Sequence, residues 1–258
     1  MRAMSRGADG RISTTMTTSM ASDGAQLGPD QGRPVERRAL RDGVYDAILE
    51  LLLEGRVKPG ASLSIDALAR QLGVSPTPVR EAMVQLEHTG LVTRAALKGY
   101  RVAPPLSTER MSELVDARTI LEVAAVHGAV PMSGAALLEL KAAHSDHVLA
   151  ADYVKRVRAG NDEQGWSVIR RYYTADWAFH RVILTHCGNQ YLLQLAEFLS
   201  PQVHRLRQSL GHGLTDVDQA VAEHGDILES IASGDNERAE NAMRAHLMGV
   251  RARSLAES

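Results

Sequence analysis

The sequence predicts an N-terminal winged helix-turn-helix of mixed α and β structure, followed by an all-α bundle of six or seven helices. Two observations lead to this fold class. Residues 65–90 contain two helical patterns separated by a tight turn, and two short β-prone runs follow them. From residue 108 onwards, apolar residues recur at helical spacing, without the alternation that is typical of strands.

Composition divides the 258 residues into three parts. Residues 1–35 are rich in Ser, Thr, Gly, Met and Asp with little apolar periodicity, and we expect a disordered tail there. Residues 36–104 form the predicted winged helix, and residues 105–258 form the helical domain. The net charge of −2 neither supports nor excludes nucleic-acid binding, because binding surfaces are local.

The number of cysteines and the length of the apolar segments indicate in which cellular compartment the protein is expected. Cys187 is the only cysteine, so an internal disulfide is impossible. Residues 1–35 lack the apolar segment of a signal peptide, and the chain has no apolar run of membrane-spanning length. We therefore expect a soluble, cytoplasmic protein.

The first elements of the winged helix follow from apolar spacing and caps. Val44–Leu53 is an amphipathic helix, and Lys58–Gly60 is a turn. Ser64 can cap a helix that begins at Ile65. Gly73 ends this helix, because glycine tolerates the left-handed conformation required just after a helix.

The second helix of the pair carries the predicted base contacts. Ser75 can cap it, and Pro76 suits its first position, where no N–H is needed. Thr77 and Arg80 lie together near its N-terminus, the end that meets base edges and phosphates in a helix-turn-helix. Its buried stripe is predicted to consist of Val79, Ala82, Met83 and Leu86.

Two β-prone runs complete this domain. Leu91–Arg94 and Gly99–Ala103 are predicted to pair as a hairpin, the wing. We expect Lys98 and Arg101 to place positive charge on DNA phosphates or in the minor groove.

Helical patterns occupy the rest of the chain after a linker at residues 103–107, whose two prolines oppose helix continuation. Gly188 and Gly234 mark breaks between helices, and Asp235 can cap the last one. The predicted helices cover residues 108–130, 134–160, 162–187, 190–210, 217–233 and 236–255.

Four polar residues on these helices form a candidate metal site. Asp176 and His180 are four residues apart and share one helix face, while His224 and His246 each lie on an apolar helix side. Three imidazoles and one carboxylate can bind a divalent ion, although buried histidines are more often ordinary core residues. The remaining histidines show no clear constellation and are treated as ordinary: His144, His147, His186, His204 and His212.

The first domain resembles the DNA-binding domain of GntR-type bacterial transcription regulators. The resemblance rests on the run LARQLGVSPTPVREAMVQLEHTGLV, followed by KGYRVAPP. It implies DNA contacts from Arg70, Ser75, Thr77 and Arg80. Where many relatives carry arginine, this chain has Asp66 and Pro76, so its operator sequence is expected to differ.

The second domain resembles the FCD (FadR-like) branch of the same regulators, through the runs DWAFHRVILTHCGNQYLLQL and AEHGDILESIASGDNERAENAMRAHL. In that branch an Asp-x-x-x-His pair and two later histidines bind a metal. The resemblance therefore implies zinc, or else nickel or another divalent ion, on four residues of this chain: Asp176, His180, His224 and His246.

The same resemblance implies an effector site. The helix containing ARTILEVAA is similar to the family's Arg-x-x-x-Glu helix, whose arginine holds an effector carboxylate, which assigns this role to Arg118. The alternative is a salt bridge from Arg118 to Glu122, four residues later. Asn189 matches the family's Gly-Asn pair, and it either lines the effector pocket or caps the next helix.

These expectations describe a transcription regulator, not an enzyme. A homodimer would read double-stranded operator DNA, and a small carboxylate effector at the metal site would control its affinity, as repressor or activator. Three alternatives remain open at this point: a metal-responsive regulator without an organic effector, an ion that only braces the bundle, and a metalloenzyme fused to a DNA-binding module. The enzyme is disfavoured because no general base accompanies the four ligands.

Overall fold

The computed structural model describes residues 32–53, 57–95, 99–157, 162–209 and 216–256. The first domain comprises α1 (Gly32–Leu53), β1 (Ser62–Leu63), α2 (Ile65–Leu72), α3 (Pro76–His88), β2 (Val92–Ala95) and β3 (Gly99–Val102). The second comprises α4 (Thr108–Ala129), α5 (Gly134–Val157), α6 (Asp162–His186), α7 (Gln190–Ser209), α8 (Val217–Ser233) and α9 (Asn236–Ala256). The predicted fold class is confirmed.

Helix α1 begins earlier than predicted. It starts at Gly32 rather than Val44 and includes four residues assigned to the tail, while residues 1–31 lie outside the described part. Among residues 39–52, whose side-chain burial is described, buried side chains recur at helical spacing at Val44, Ile48 and Leu52, which is where the sequence signal lay.

The helix-turn-helix follows the predicted caps, with one correction. The Ser64 hydroxyl accepts a hydrogen bond from the Ala67 N–H at 3.3 Å, and Gly73 ends α2 with φ 68°. Ser75 occupies the N-cap of α3, but its hydroxyl makes no capping bond. The third helical residue is Pro78, which has no N–H to donate, so the usual partner of an N-cap hydroxyl is missing.

The wing is a three-stranded antiparallel sheet in the order β1-β3-β2. The predicted hairpin is present, with Val92 opposite Val102 and Ala95 opposite Gly99. The sequence did not predict β1, because two residues are too short to show alternation. Leu63 of this strand is buried opposite Tyr100 and belongs to the apolar core of the domain.

The helical domain surrounds one apolar core. Helix α5 packs along α6, and α4 packs along α9, which also contacts α8. The side chains of Phe179, Ile227, Met243 and Leu247 are fully buried between these helices. Within the described ranges, none of the helices has the length and apolar character needed to cross a membrane.

Contacts between described residues connect the domains beside the linker. The side-chain amide of Gln202, on α7, donates to the carbonyl oxygen of Thr89, which caps the C-terminus of α3. Arg170 of α6 forms an ion pair with Glu50 of α1. Helices α6 and α7, which make these contacts from the second domain, also border the candidate site described below.

Candidate functional site

Three histidine side chains converge in the core of the helical domain. Nε2 of His224 lies 3.1 Å from Nε2 of His180 and 3.3 Å from Nε2 of His246. The three residues come from α6, α8 and α9 and are almost wholly buried. Their ring nitrogens therefore surround one point inside the bundle.

Two carboxylates fix the orientation of the outer rings. Nδ1 of His180 lies 2.6 Å from Oε2 of Glu122, and Nδ1 of His246 lies 2.7 Å from Oε2 of Glu223. A carboxylate only accepts hydrogen bonds, so each Nδ1 carries the proton. The Nε2 lone pairs of both neutral rings then face the centre, as in carboxylate–histidine–metal arrangements.

This arrangement fits a cation. If Nε2 of His224 carries a proton, it can donate that proton to Nε2 of His180 or of His246, but not to both. In at least one of these two contacts, the lone pairs of two nitrogens therefore face each other unless a cation lies between them. In a tetrahedral site with metal–nitrogen bonds of about 2.0–2.1 Å, the donor atoms are about 3.3–3.4 Å apart. The observed nitrogen spacings are close to this value.

Two of the rings, those of His224 and His246, are also held in the neutral form that binds metals. Burial lowers the pKa of His224 well below its ordinary value, and the nearby imidazoles lower it further. Burial lowers the pKa of His246 to about 4, although the hydrogen bond to Glu223 opposes this shift. Proton competition for these nitrogens is therefore weak near neutral pH.

Asp176 lies beside this group, as its position one turn before His180 predicts. Its side chain is buried, and Oδ1 is 3.9 Å from Nε2 of His224. The structure thus brings all four sequence-predicted ligands to one region. Their role as ligands remains a prediction.

A fourth histidine, His147 of α5, was missed from the sequence. It is fully buried, its Nε2 lies 3.9 Å from Oδ1 of Asp176, and its ring centroid lies 4.7 Å from that of His224. The sequence analysis did not recognise that this position adjoins the cluster. The available signal was its place in the buried stripe of α5, which comprises Leu140, Ala143, His147, Ala150 and Val154.

The other histidines that were treated as ordinary lie elsewhere. His144 is half-buried, with Nε2 3.2 Å from the carbonyl oxygen of Val221. His186 contacts the Glu139 carboxylate at 2.9 Å. His204 is on α7, where its side chain is not described, and His212 lies outside the described residues.

Arg118 adds a buried positive charge next to this centre. Its Nε donates to Oε1 of Glu122 at 2.7 Å, so the predicted salt bridge is present. Both side chains are buried. Glu122 consequently links Arg118 to His180. Burial alone would raise the pKa of Glu122, but the charge of Arg118 and the contacts with His180 lower it below its ordinary value.

The two terminal nitrogens of Arg118, Nη1 and Nη2, are buried and have no hydrogen-bond partner among the described residues. A buried guanidinium with unpaired N–H groups is costly. The side chain lines a small cavity between α4, α6 and α7, together with Leu121, Glu122, Trp177, Ala196, Leu199 and Val203. The buried guanidinium is therefore the part of this region with unused hydrogen-bond donors.

Asn189 is not brought into the cluster. It is exposed, and its Oδ1 accepts a hydrogen bond from the Tyr191 N–H at 3.0 Å, so it caps α7. Gly188 has a left-handed backbone with φ 73° and ends α6 just before it. The chain turns at these two residues, and the side-chain amide of Asn189 caps the start of α7.

The predicted DNA-contacting side chains lie around the helix-turn-helix. Arg70, near the end of α2, and three residues at the start of α3 are exposed: Ser75, Thr77 and Arg80. Arg101 is half-buried on β3. Its Nη1 donates to the carbonyl oxygen of Gly60 at 2.8 Å, so one of its N–H groups stabilises the sheet and is not available to DNA. Lys98 lies outside the described residues.

Comparisons with protein families match both domains. Residues 40–102 match the family described as bacterial regulatory proteins, gntR family, and residues 113–249 match the FCD domain. The FCD match alone covers more than half of the chain. The two matches follow the same order along the chain as the two folds described above.

Curated relatives extend over most of the chain. The transcriptional repressor GlaR of Escherichia coli is 26% identical over 76% of this chain and 87% of its own length. A probable D-xylose utilization operon repressor of Paenarthrobacter nicotinovorans is 29% identical, covering 82% and 87%. The regulator LutR of Bacillus subtilis is 28% identical, covering 78% and 94%.

A solved structure of a GntR regulator from Rhodococcus has the same fold, with a TM-score of 0.69 and 23% identity over 84% of this chain and 97% of that one. Escherichia coli McbR/YncC is similar, with a TM-score of 0.68 and 21% identity, covering 83% and 95%. The chain therefore belongs to the gntR family of bacterial regulatory proteins, in its FCD branch, and is a DNA-binding transcriptional regulator rather than an enzyme.

Proposed function

We propose that this regulator changes its operator affinity when a small organic acid binds beside a divalent metal ion in the helical domain. The observation that carries the proposal is the linked group formed by Arg118, Glu122 and His180. One carboxylate connects a buried guanidinium, which has two unpaired nitrogens, to a ring of the imidazole cluster. Carboxylates are well matched by such a guanidinium.

The ion would be held by four side chains: Asp176, His180, His224 and His246. Three imidazoles and a carboxylate favour zinc, and nickel is the next candidate. When bound, the ion supplies a Lewis-acid position for an anionic oxygen. The protein's part is to exclude water and to hold each Nε2 toward the centre through Glu122 and Glu223.

The charges of the site favour a monoanion. Arg118 is neutralised by Glu122, and Arg253, which donates from both Nη atoms to Glu223, is neutralised by that carboxylate. Asp216, which also pairs with Arg253, is partly exposed and is screened by solvent, so within the buried part of the site a divalent ion with the single negative charge of Asp176 leaves one positive charge. Because an uncompensated buried charge is costly, one carboxylate on the effector balances the site.

Helix α7 offers a route from this site to DNA. Ala196, Leu199 and Val203 of α7 line the cavity with Arg118, and Gln202 of the same helix contacts Thr89 at the end of α3. An effector that displaces α7 therefore acts on the recognition helix. The effector must bind the two arrangements with different affinities for this displacement to switch DNA binding.

An apolar strip supports a homodimer. Tyr191, Leu195 and Phe198 are exposed on one face of α7, and Ile120 of α4 is 72% exposed. Single exposed apolar residues are common, whereas a row of aromatic and aliphatic side chains is typical of interfaces. A symmetric dimer would place two α3 helices on half-sites about one duplex turn, roughly 34 Å, apart.

The proposal is tested by thermal unfolding of the purified full-length protein with a panel of small monocarboxylates, with and without a chelator. We expect one acid to raise the Tm by mass action only when metal is present. In Arg118→Lys, that shift should be lost while metal binding is retained. Arg110→Lys, an exposed change on the same helix, serves as the control.

Operator binding, measured by fluorescence anisotropy on a duplex selected from genomic DNA, completes the test. The acid that raises the Tm should change the operator Kd. A Kd that follows free metal in the absence of any acid would instead establish a metal-responsive regulator. An ion that changes stability but not operator affinity would establish a purely bracing role.

A further inference from the structure

We propose that His147 is an additional protein ligand of the same ion, so that four imidazoles and one carboxylate surround it. This inference rests on the metal site of the proposed function and extends it. It assigns a role to a buried side chain on α5, a helix that provides none of the four ligands implied by the family resemblance.

The first step is the position of His147 relative to the ligands. Its Nε2, Oδ1 of Asp176 and a ring nitrogen of His224 lie within 4.8 Å of one another. This group shares His224 with the cluster formed by His180 and His246, whose donor atoms also lie within 4.8 Å. The two groups share His224 and therefore adjoin one another, and their donors would have to draw closer together to surround one ion.

The second step is the spread of the distances. The nitrogens of His180 and His246 are 3.1 and 3.3 Å from that of His224, but Asp176 Oδ1 is 3.9 Å from both His224 and His147. In a tetrahedral site every pair of donors is about 3.3–3.4 Å apart. An octahedral site with bonds of about 2.1 Å has neighbouring donors about 3.0 Å apart and opposite donors about 4.2 Å apart. The 3.9 Å separations exceed the tetrahedral spacing and lie between the neighbouring and opposite spacings of an octahedral site, which favours the larger coordination number.

The third step is burial. His147 is wholly removed from solvent, with the Tyr172 ring centroid 4.8 Å and the His224 ring centroid 4.7 Å from its own. A buried imidazole requires polar partners for its nitrogens. His144, one turn earlier, has the Val221 carbonyl oxygen 3.2 Å from its Nε2, and Nε2 of His147 lies 3.9 Å from Oδ1 of Asp176.

A fifth protein ligand changes the expected chemistry. A six-coordinate ion then keeps one open position, so the effector binds it through one oxygen and leaves the rest of its carboxylate for other donors. Four imidazoles with one carboxylate also favour ions that accept six ligands, such as nickel or cobalt, over four-coordinate zinc.

The experiment uses full-length protein loaded with cobalt(II) alone, without any organic acid. Paramagnetic proton NMR resolves one strongly shifted, exchangeable N–H signal for each imidazole bound to cobalt. We expect four such signals in the wild type, three in His147→Ala and four in His144→Ala. Competition with a chromophoric chelator should show a cobalt Kd about 10–100-fold weaker for His147→Ala only.

Three signals in the wild type would overturn the assignment of His147 while leaving the metal site of the proposed function intact. Absence of cobalt binding to the wild type would overturn both. The wild-type count decides the question even if His147→Ala fails to fold, because it requires no variant.

Discussion

Oε2 of Glu122 lies 2.6 Å from Nδ1 of His180. The other oxygen of the same carboxylate accepts from Arg118, so one side chain contacts both a ring of the imidazole cluster and the buried guanidinium. From the sequence, Glu122 was only a candidate salt-bridge partner of Arg118. The structure shows why this position needs a carboxylate rather than any acceptor.

Glu122→Gln should weaken metal binding about 10–100-fold, as expected for loss of an outer carboxylate. If the amide NH₂ faces His180, it donates to Nδ1 and moves the ring proton to Nε2, where it blocks the ligand position. Chelator competition measures the change. Glu113→Gln, an exposed change on α4, should leave the affinity unchanged; equal affinities for all three proteins would contradict the role of Glu122.

His224→Ala should remove most of the bound metal, because His224 stands between the other two converging rings. Elemental analysis of the purified protein measures the metal content per chain. His144→Ala on α5 is the matched control and should retain wild-type content. Full occupancy in the His224 variant would exclude this residue from the site.

Arg80→Ala should weaken specific operator binding without changing the fold. The side chain is exposed near the N-terminus of α3, and loss of one base contact costs about 1–3 kcal/mol, which raises the Kd by about 5- to 150-fold. Anisotropy titrations at fixed salt give the Kd, and circular dichroism monitors folding. Arg244→Ala, an exposed change on α9, controls for the loss of one positive charge. An unchanged footprint in Arg80→Ala would contradict the recognition-helix assignment.

Gln202→Ala should uncouple the two domains. Removing its amide breaks the contact with Thr89 at the end of α3, so the effector should still raise the Tm but change the operator Kd less than in the wild type. Gln194→Ala, an exposed change on the same helix, should preserve the full response. If the Gln202 variant responds fully, α7 does not transmit the signal through this contact.

The sequence predicted elements best where local chemistry decides the structure. Gly73 and Asp235 end and begin helices because backbone conformation and capping act within a few residues: Gly73 is left-handed, and Asp235 Oδ1 accepts from the Arg238 N–H at 2.9 Å. The two-residue strand β1 escaped prediction because its pairing with β3 joins segments far apart in the chain.

The candidate site shows the same limit. Asp176 and His180 were recognisable because both lie one turn apart on a single helix. The roles of His147 and Glu223 depend on how α5 and α8 pack against α6 and α9, which apolar spacing along one helix does not specify. The side-chain pattern of α5 placed His147 in the core, but only packing brought it to Asp176.

A pH dependence should arise from Glu223. Burial opposes its ionisation, but the hydrogen bonds from His246 and Arg253 outweigh burial and lower its pKa to about 2. A carboxyl whose pKa is lower in the folded state stabilises the protein above its unfolded pKa, and this contribution is lost as the pH falls toward the folded value. Glu223→Gln should therefore be less stable than the wild type near neutral pH.

The stability difference between wild type and Glu223→Gln should be constant above about pH 5.5 and should narrow as the pH falls further. Urea unfolding of the metal-free proteins, kept in chelator, measures the difference because the ion then adds no stability of its own. Glu229→Gln, an exposed change on the same helix, should follow the wild type across the range. A difference that stays constant down to the most acidic pH at which both proteins remain folded would show that Glu223 is not held ionised by His246 and Arg253.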